Sequence, residues 1–568
     1  MVRKVLDWLD DRAGWRRVAR AALDEPIPGG SRWMFVTGSG LVFAFAIQAI
    51  TGIVMAMYFS PSTSDAWGSV YYLQNEVRFG WLVRGLHHFG ASAMVVLSVV
   101  HMVQVFVLGA YKRPRELNWL IGVLMLFVVL GFALTGYLLP WDQKGYWATQ
   151  VATRIMGTAP VLGPSMQALM QSGTEYGNLT ITRFYALHVF VMPGALIALL
   201  VLHLALFRRH GVTPSWRLSK DELAARLERF WPAQVFKDTV YMLVIVGVLL
   251  ALAIFVGAPL DAPADPSSNY DARPEWYFLF LFQILKYFEG PMALIGTIVI
   301  PTLGAGFLLL LPFLDRGESR APSMRKPWFA AFFTLIGATV VLTAIALVED
   351  SGDAELNAHV TMQEREAELA REYARAGGID PTGAVILYEG HRIFEEQRCL
   401  NCHKVDGREA PEKKQGFELT GYLSRDWFRI YLRDPSGPRF CGGLKCQDAM
   451  PVPDLTPEDR DALVELLASQ SGLAHVPPVD ADLVGRGVAA FDDNGCTNCH
   501  TLDGTALVGP TLQGFGSVPY LRSFLADPGA AIHFGQFNDM PAYPDLAPAE
   551  REYLIAYLRH LSTLPMGE

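Results

Sequence analysis

Seven stretches of this chain stay apolar for about 20 residues each, enough to cross a hydrocarbon layer roughly 30 Å thick. They lie near 34–59, 86–109, 117–140, 183–207, 238–258, 291–314 and 327–348, and each predicts a membrane-spanning helix. The first two are too evenly apolar to be soluble core helices. Ahead of them, residues 1–33 mix arginines with Asp7, Asp10 and Asp11 and lack an apolar core, which predicts a surface amphipathic segment and no cleaved leader. Beyond the last stretch the pattern turns polar: a charged, helix-prone connector over 351–377, then two similar segments over 378–474 and 475–568. The expected fold is all-α, a bundle of about seven transmembrane helices followed by two small all-α domains. The bundle divides into a four-helix part, 34–228, and a three-helix part, 229–350.

Charge fixes the direction in which these helices run. Lys and Arg number 7 in residues 1–33, 3 in 110–118, 6 in 208–236 and 4 in 315–326, against 1, 2 and 1 in the alternate loops 60–80, 140–181 and 259–276. The positive-inside rule places the N-terminus in the cytoplasm. An odd number of spans then delivers the chain after residue 348 to the opposite, oxidising face. With 47 basic against 56 acidic residues, a net charge of −9, no strongly basic surface exists to neutralise phosphates, which excludes a nucleic-acid partner. The 51% hydrophobic content excludes a disordered chain.

Ionisable groups within lipid are costly and mark function by default. The second span carries His87 and His101, 14 residues apart, and the fourth carries His188 and His203, 15 apart. At 1.5 Å and about 100° per residue, each pair is separated by roughly 21–23 Å and lies within about 60° of one helix face. Both helices run inward from the outer face, so His87 is level with His188, and His101 with His203. Two stacked bis-histidine sites for a flat metal macrocycle follow. Gly38 and Gly52 on the first span, and Gly122 and Gly136 on the third, repeat the 14-residue interval. Missing side chains there would let a macrocycle approach the backbone.

The six cysteines all follow residue 398. CLNCH places Cys399, Cys402 and His403, and CTNCH places Cys496, Cys499 and His500, each the signature of covalent haem attachment through two thioethers and an axial histidine. A methionine is the usual sixth ligand. Met450 in MPVPDLTPEDR and Met540 in MPAYPDLAPAER stand 47 and 40 residues after their axial histidines, each followed by an amphipathic helix. Cys441 and Cys446 have no following histidine. An exported domain favours a local disulfide between them, with a metal site or redox switch involving His391 and Asp448 as the alternative.

The runs GWLVRGLHHFGAS (80–92), GYLLPWDQKGYWA (136–148), RFYALHVF (183–190) and PEWYFLFLFQIL (274–285) resemble the cytochrome b of quinol-oxidising bc complexes, in its b6-type branch, over roughly residues 30–350. The exported half resembles a di-haem class I cytochrome c fused at the C-terminus. The resemblance implies two non-covalent haem b, the outer held by His87 and His188 and the inner by His101 and His203, besides two covalent haem c. It implies quinol oxidation at an outer site where Glu275 of PEWY faces the outer haem. A partly buried carboxylate at that surface suits proton acceptance. Tyr277 and Tyr137 would shape or hydrogen-bond that pocket, although interfacial anchoring explains either equally well. Arg208 matches a family arginine near an inner quinone site, with a positive-inside charge as the other reading. Where the b6-type branch can attach a further haem through a cysteine, this chain has Val36. Gly509-Pro510-Thr511-Leu512 resembles the segment whose proline carbonyl orients the proximal imidazole, while the first copy has Phe417 in the proline's place.

The activity so implied is that of a respiratory quinol:cytochrome c oxidoreductase subunit in a bacterial inner membrane, with bifurcated electron transfer and proton translocation. Its expected partners are a separate Rieske iron–sulfur protein, since no cysteine is left over for such a cluster, the quinone pool, a cytochrome c or terminal oxidase as acceptor, and a second copy in a homodimer. A linear di-haem b anchor between a dehydrogenase and quinone, or a redox sensor, would share the four histidines without needing PEWY.

Overall fold

A computed structural model describes residues 2–566 except Thr174, Asn269, Glu289, 377–380, 409–415, Pro438, 441–449, 474–478 and 536–537. Cys441, Cys446 and Asp448 therefore lie outside the described residues. Seven helices among those described are long and apolar enough to span a membrane: α1 (Trp33–Ala56), α2 (Gly80–Leu108), α3 (Glu116–Tyr137), α4 (Asn178–His210), α5 (Phe230–Phe255), α6 (Ile295–Leu314) and α7 (Lys326–Gly352). After them come α8 (Ala354–Ala376), α9 (Pro381–Glu396), α10 (Arg425–Tyr431), α11 (Pro457–Gln470), α12 (Ala481–Asp493), α13 (Val518–Ala526) and α14 (Pro548–His560). The strands described are one two-residue antiparallel pair, Pro26–Ile27 with Glu228–Arg229. The all-α expectation holds. By packing, the chain divides into Met1–Arg371 and Glu372–Glu568.

In the first unit α2 packs on α1 and α5, while α3 packs on α4. Ala44, Met94, Val95, Leu97, Val129, Ile245 and Leu249 form the apolar core between α1, α2, α3 and α5. A second core holds Phe106, Tyr111, Trp119, Leu311 and Phe332, and the Trp119 indole donates to the Leu308 carbonyl at 2.7 Å, joining α3 to α6. Beside it Asp315 is buried but satisfied, accepting from Lys112 Nζ at 2.7 Å and Arg325 Nε at 2.8 Å. An unpaired carboxylate at such a site would be untenable.

One irregularity positions a functional residue. Leu187–Val191 of α4 forms a π-helical turn, and Pro193 follows two residues later. Proline has no N–H, so the α-pattern bond to the carbonyl four residues back is lost, and the wider turn passes over the gap. The same pairing recurs in α6, where the π turn Ile295–Val299 precedes Pro301. A π turn accommodates one extra residue without rotating the helix beyond it. The 15-residue interval from His188 to His203 thereby matches the 14-residue interval of α2.

The second unit is not built as two self-contained repeats. The helix that opens the first repeat, α9, packs on α14, which closes the second; α12, which opens the second, packs on α11, which closes the first. One core accordingly combines Ile393, Phe394, Cys399, Val405 and Leu419 with Leu521, Leu525, Leu546, Leu554, Ile555 and Tyr557. The other combines Trp427, Phe428, Leu432, Leu463 and Leu466 with Ala490, Phe491 and Phe515.

Candidate functional site

The four membrane histidines meet in two pairs. The ring centres of His87 and His188 lie 6.3 Å apart, and those of His101 and His203 lie 6.4 Å apart. Two metal–nitrogen bonds of about 2 Å each, with the ring radii added, span roughly 6 Å. Each gap therefore fits one metal ion between two imidazoles. All four glycines face these rings: a Cβ would sit 3.3 Å from His101 Cε1 at Gly38, 3.1 Å from His87 Cε1 at Gly52, 3.6 Å from His203 Cε1 at Gly122 and 2.5 Å from His188 Cε1 at Gly136. Side chains there would push the imidazoles out of line.

A threonine precedes three of these glycines, a signal that glycine spacing alone passes over. Thr51 Oγ1 lies 2.9 Å from His87 Nδ1, Thr37 Oγ1 2.9 Å from His101 Nδ1 and Thr135 Oγ1 3.1 Å from His188 Nδ1. With Nε2 turned to the gap, each Nδ1–H donates to a hydroxyl, which fixes ring orientation and raises ligand basicity. Before Gly122 stands Ile121, and His203 Nδ1 has no side-chain partner among the described residues.

At the outer end of the bundle Glu275 begins the short turn Trp276–Phe278, and its Oε1 accepts from Lys144 Nζ at 3.0 Å. Lys144 also lies 5.7 Å from the centre of the Tyr137 ring. Tyr137 directly follows Gly136, so contacts run without a break from His188 to the carboxylate. The Tyr137 hydroxyl is buried with no hydrogen-bond partner among the described residues. Tyr277 packs against the α1–α2–α3–α5 core, and the Trp276 indole donates to Ser92 Oγ at 3.3 Å. Asp142 caps the helix Gln143–Gly157 by accepting from Gly145 N at 2.8 Å. Burial, and then the neighbouring Asp261, push its carboxyl up to about 6. Lys144 was not singled out by sequence reasoning, and His88 reads there as structural, although both lie within the matched runs. Arg208 at the other end of α4 pairs with Glu25 at 2.9 Å.

In the second unit Cys399, Cys402, Cys496 and Cys499 form no disulfide among the described residues. His403 Nδ1 donates to the Phe417 carbonyl at 2.8 Å and His500 Nδ1 to the Pro510 carbonyl at 2.9 Å. Both leave Nε2 for a metal, and phenylalanine serves as well as proline because the partner is a backbone oxygen. Cys399, Cys402, Cys499, both histidines, Met450 and Met540 line one cavity of about 420 Å³. His391 is buried, with Nε2 3.1 Å from Arg408 Nη2, against the rings of Tyr373 and Tyr557.

A multi-pass helical membrane protein with two bis-histidine gaps and two thioether-attachment motifs is a membrane-bound cytochrome. Residues 22–211 match the family model cytochrome b/b6/petB, 263–361 match cytochrome b(C-terminal)/b6/petD, and 387–471 and 484–562 each match cytochrome c. A cytochrome bc complex cytochrome b subunit of Chlorobaculum thiosulfatiphilum is 35% identical over 55% of this chain and 72% of its own length. The menaquinol:cytochrome c reductase cytochrome b subunit of Bacillus subtilis (strain 168) is 42% identical over 38% of this chain and 99% of its own, and the cytochrome b6 of Synechocystis is 38% identical over 37% and 95%. A chain of a hyperthermophilic respiratory Complex III superposes with a TM-score of 0.54 at 30% identity, covering 60% of this chain and 91% of that one. The chain belongs to the cytochrome b/b6 family of bc complexes and carries two cytochrome c repeats at its C-terminal end.

Proposed function

We propose that this chain oxidises quinol at the outer membrane surface as the cytochrome b and di-haem cytochrome c subunit of a quinol:cytochrome c oxidoreductase. The unbroken contact path from the ligand pair His87–His188 through Gly136, Tyr137 and Lys144 to Glu275 carries this reading. Haem groups, two b and two c when bound, supply the ability to accept and pass single electrons. The chain's own residues do the rest. His87 with His188, and His101 with His203, hold the two b sites roughly 21 Å apart along the helices. Tyr137 offers to a quinol oxygen a buried hydroxyl that has no partner among the described residues. Glu275 accepts the quinol proton, and Lys144 holds the carboxylate in place until it does.

The two electrons part at that point, one toward a Rieske iron–sulfur partner and the c domains, the other inward to a quinone near Arg208. Protons are released outside and taken up within, which translocates charge. The same reading sets the chain in a bacterial inner membrane with its N-terminus in the cytoplasm, in a homodimeric complex that passes electrons to a cytochrome c or terminal oxidase. Membranes given quinol with the c domains oxidised should show extra b-haem reduction when the inner site is blocked, and none when the outer site is blocked. Reduction indifferent to an outer-site inhibitor overturns the proposal and favours linear transfer. Purification of an active complex without any iron–sulfur signal would remove the Rieske partner.

A further inference from the structure

The exchanged packing of the second unit bears on which methionine reaches which haem, a question that rests on the reading of both motifs as haem sites. Read along the chain, each CxxCH would pair with the methionine that follows it, His403 with Met450 and His500 with Met540. The packing says otherwise. Cys399 shares its core with α13 and α14, and Met540 and Tyr543 pack against that same core. Cys496 packs against the core formed by α10, α11 and α12, and so does Met450.

Two glycines mark the exchanged crossings. Gly390 and Gly487 each stand nine residues before the first cysteine of their motif. A Cβ on Gly390 would sit 2.7 Å from Tyr557 Cβ and clash with the Tyr553 carbonyl on α14, whereas one on Gly487 would sit 2.8 Å from Leu466 Cβ and clash with the Ala462 carbonyl on α11. Equivalent glycines thus seat equivalent helices, each against the closing helix of the other repeat. The chain changes cores between Leu419 and Leu423 and again between Phe515 and Leu521, and these crossings touch, since a Cβ on Gly516 would meet Leu423.

We propose that each c haem is ligated by the histidine of one repeat and the methionine of the other, His403 with Met540 and His500 with Met450. The two haem sites are then interlocked halves of one body, joined through their common cavity.

Single-haem backgrounds of the full chain test this. In C399S/C402S the remaining c haem is held by Cys496, Cys499 and His500. There Met450→His should abolish the far-red absorption of the methionine-ligated ferric haem and lower its potential, because a second imidazole replaces a thioether. Met540→His should leave band and potential unchanged. In C496S/C499S the two outcomes reverse. A response to Met540→His in the first background, alone or with Met450→His, overturns the proposal. A second readout avoids the cysteine changes: a photo-crosslinking residue at Ile393 in the fully haemed chain should capture a peptide from 548–560 at monomer mass. Capture of 457–470, or a product at dimer mass, contradicts exchange within one chain.

Discussion

The threonine hydroxyls beside the histidines show how finely one residue can set a haem. Thr51 lies 2.9 Å from His87 Nδ1, while Ile121 stands where a threonine would face His203, so the two histidine pairs differ in the side-chain hydroxyls beside their Nδ1 atoms. Thr51→Val should raise the potential of the outer b haem, and Ile121→Thr should lower that of the inner one. A net hydrogen bond of about 0.5–1.5 kcal/mol corresponds to roughly 20–60 mV for one electron, readable by redox titration of the b bands. His391 offers a pH test. Burial, and then Arg408, depress its imidazole to about 4 from an ordinary 6.5, and Glu395 is the acidic group within reach at 3.3 Å. A base depressed by folding contributes stability that is present above pH 6.5 and lost as pH falls toward 4. The loss amounts to at most about 3 kcal/mol. Thermal melting followed at the c haems should therefore fall more steeply between pH 7 and 4.5 in the native chain than in His391→Asn.

Among elements, α4 is the informative one. The apolar runs and the histidine spacing make all seven spans legible in the sequence, because length and periodicity are local properties. The unequal intervals of 14 and 15 are equally visible, but their reconciliation depends on Pro193 displacing the backbone bonds beside His188. Deleting Val191 together with Pro193→Ala should yield an unbroken helix with a 14-residue interval that keeps both b haems. Deleting Val95 from α2, which is already regular, should misalign His87 with His101 and cost one of them. The b-to-c ratio by pyridine haemochrome reads both results. The threonines could have been found by asking what precedes each glycine, since Thr37-Gly38, Thr51-Gly52 and Thr135-Gly136 repeat as dipeptides. Lys144 could not, because its importance comes from Glu275, 131 positions away.

At the scale of the whole molecule the expected inventory is two b and two c haems. Five would require a further attachment point, and Val36 provides no thiol for one. The repeats, their cysteines and their methionines can all be read along the chain. Their exchange cannot, because α11 and α14 are near-equivalent partners for α9 and α12, and swapped and unswapped pairings bury the same kinds of contact. Only three-dimensional packing separates them.

That packing sets an order on biogenesis. The segment bearing Cys399 is made before its partner helix α14, which follows it only after α10 to α13. Haem must then be joined to a helix whose apolar face is still bare, and contacts so distant in sequence form slowly. A chain truncated ahead of α14 should carry its first attachment motif and still fail to mature it, leaving that half dependent on chaperones until α14 is made.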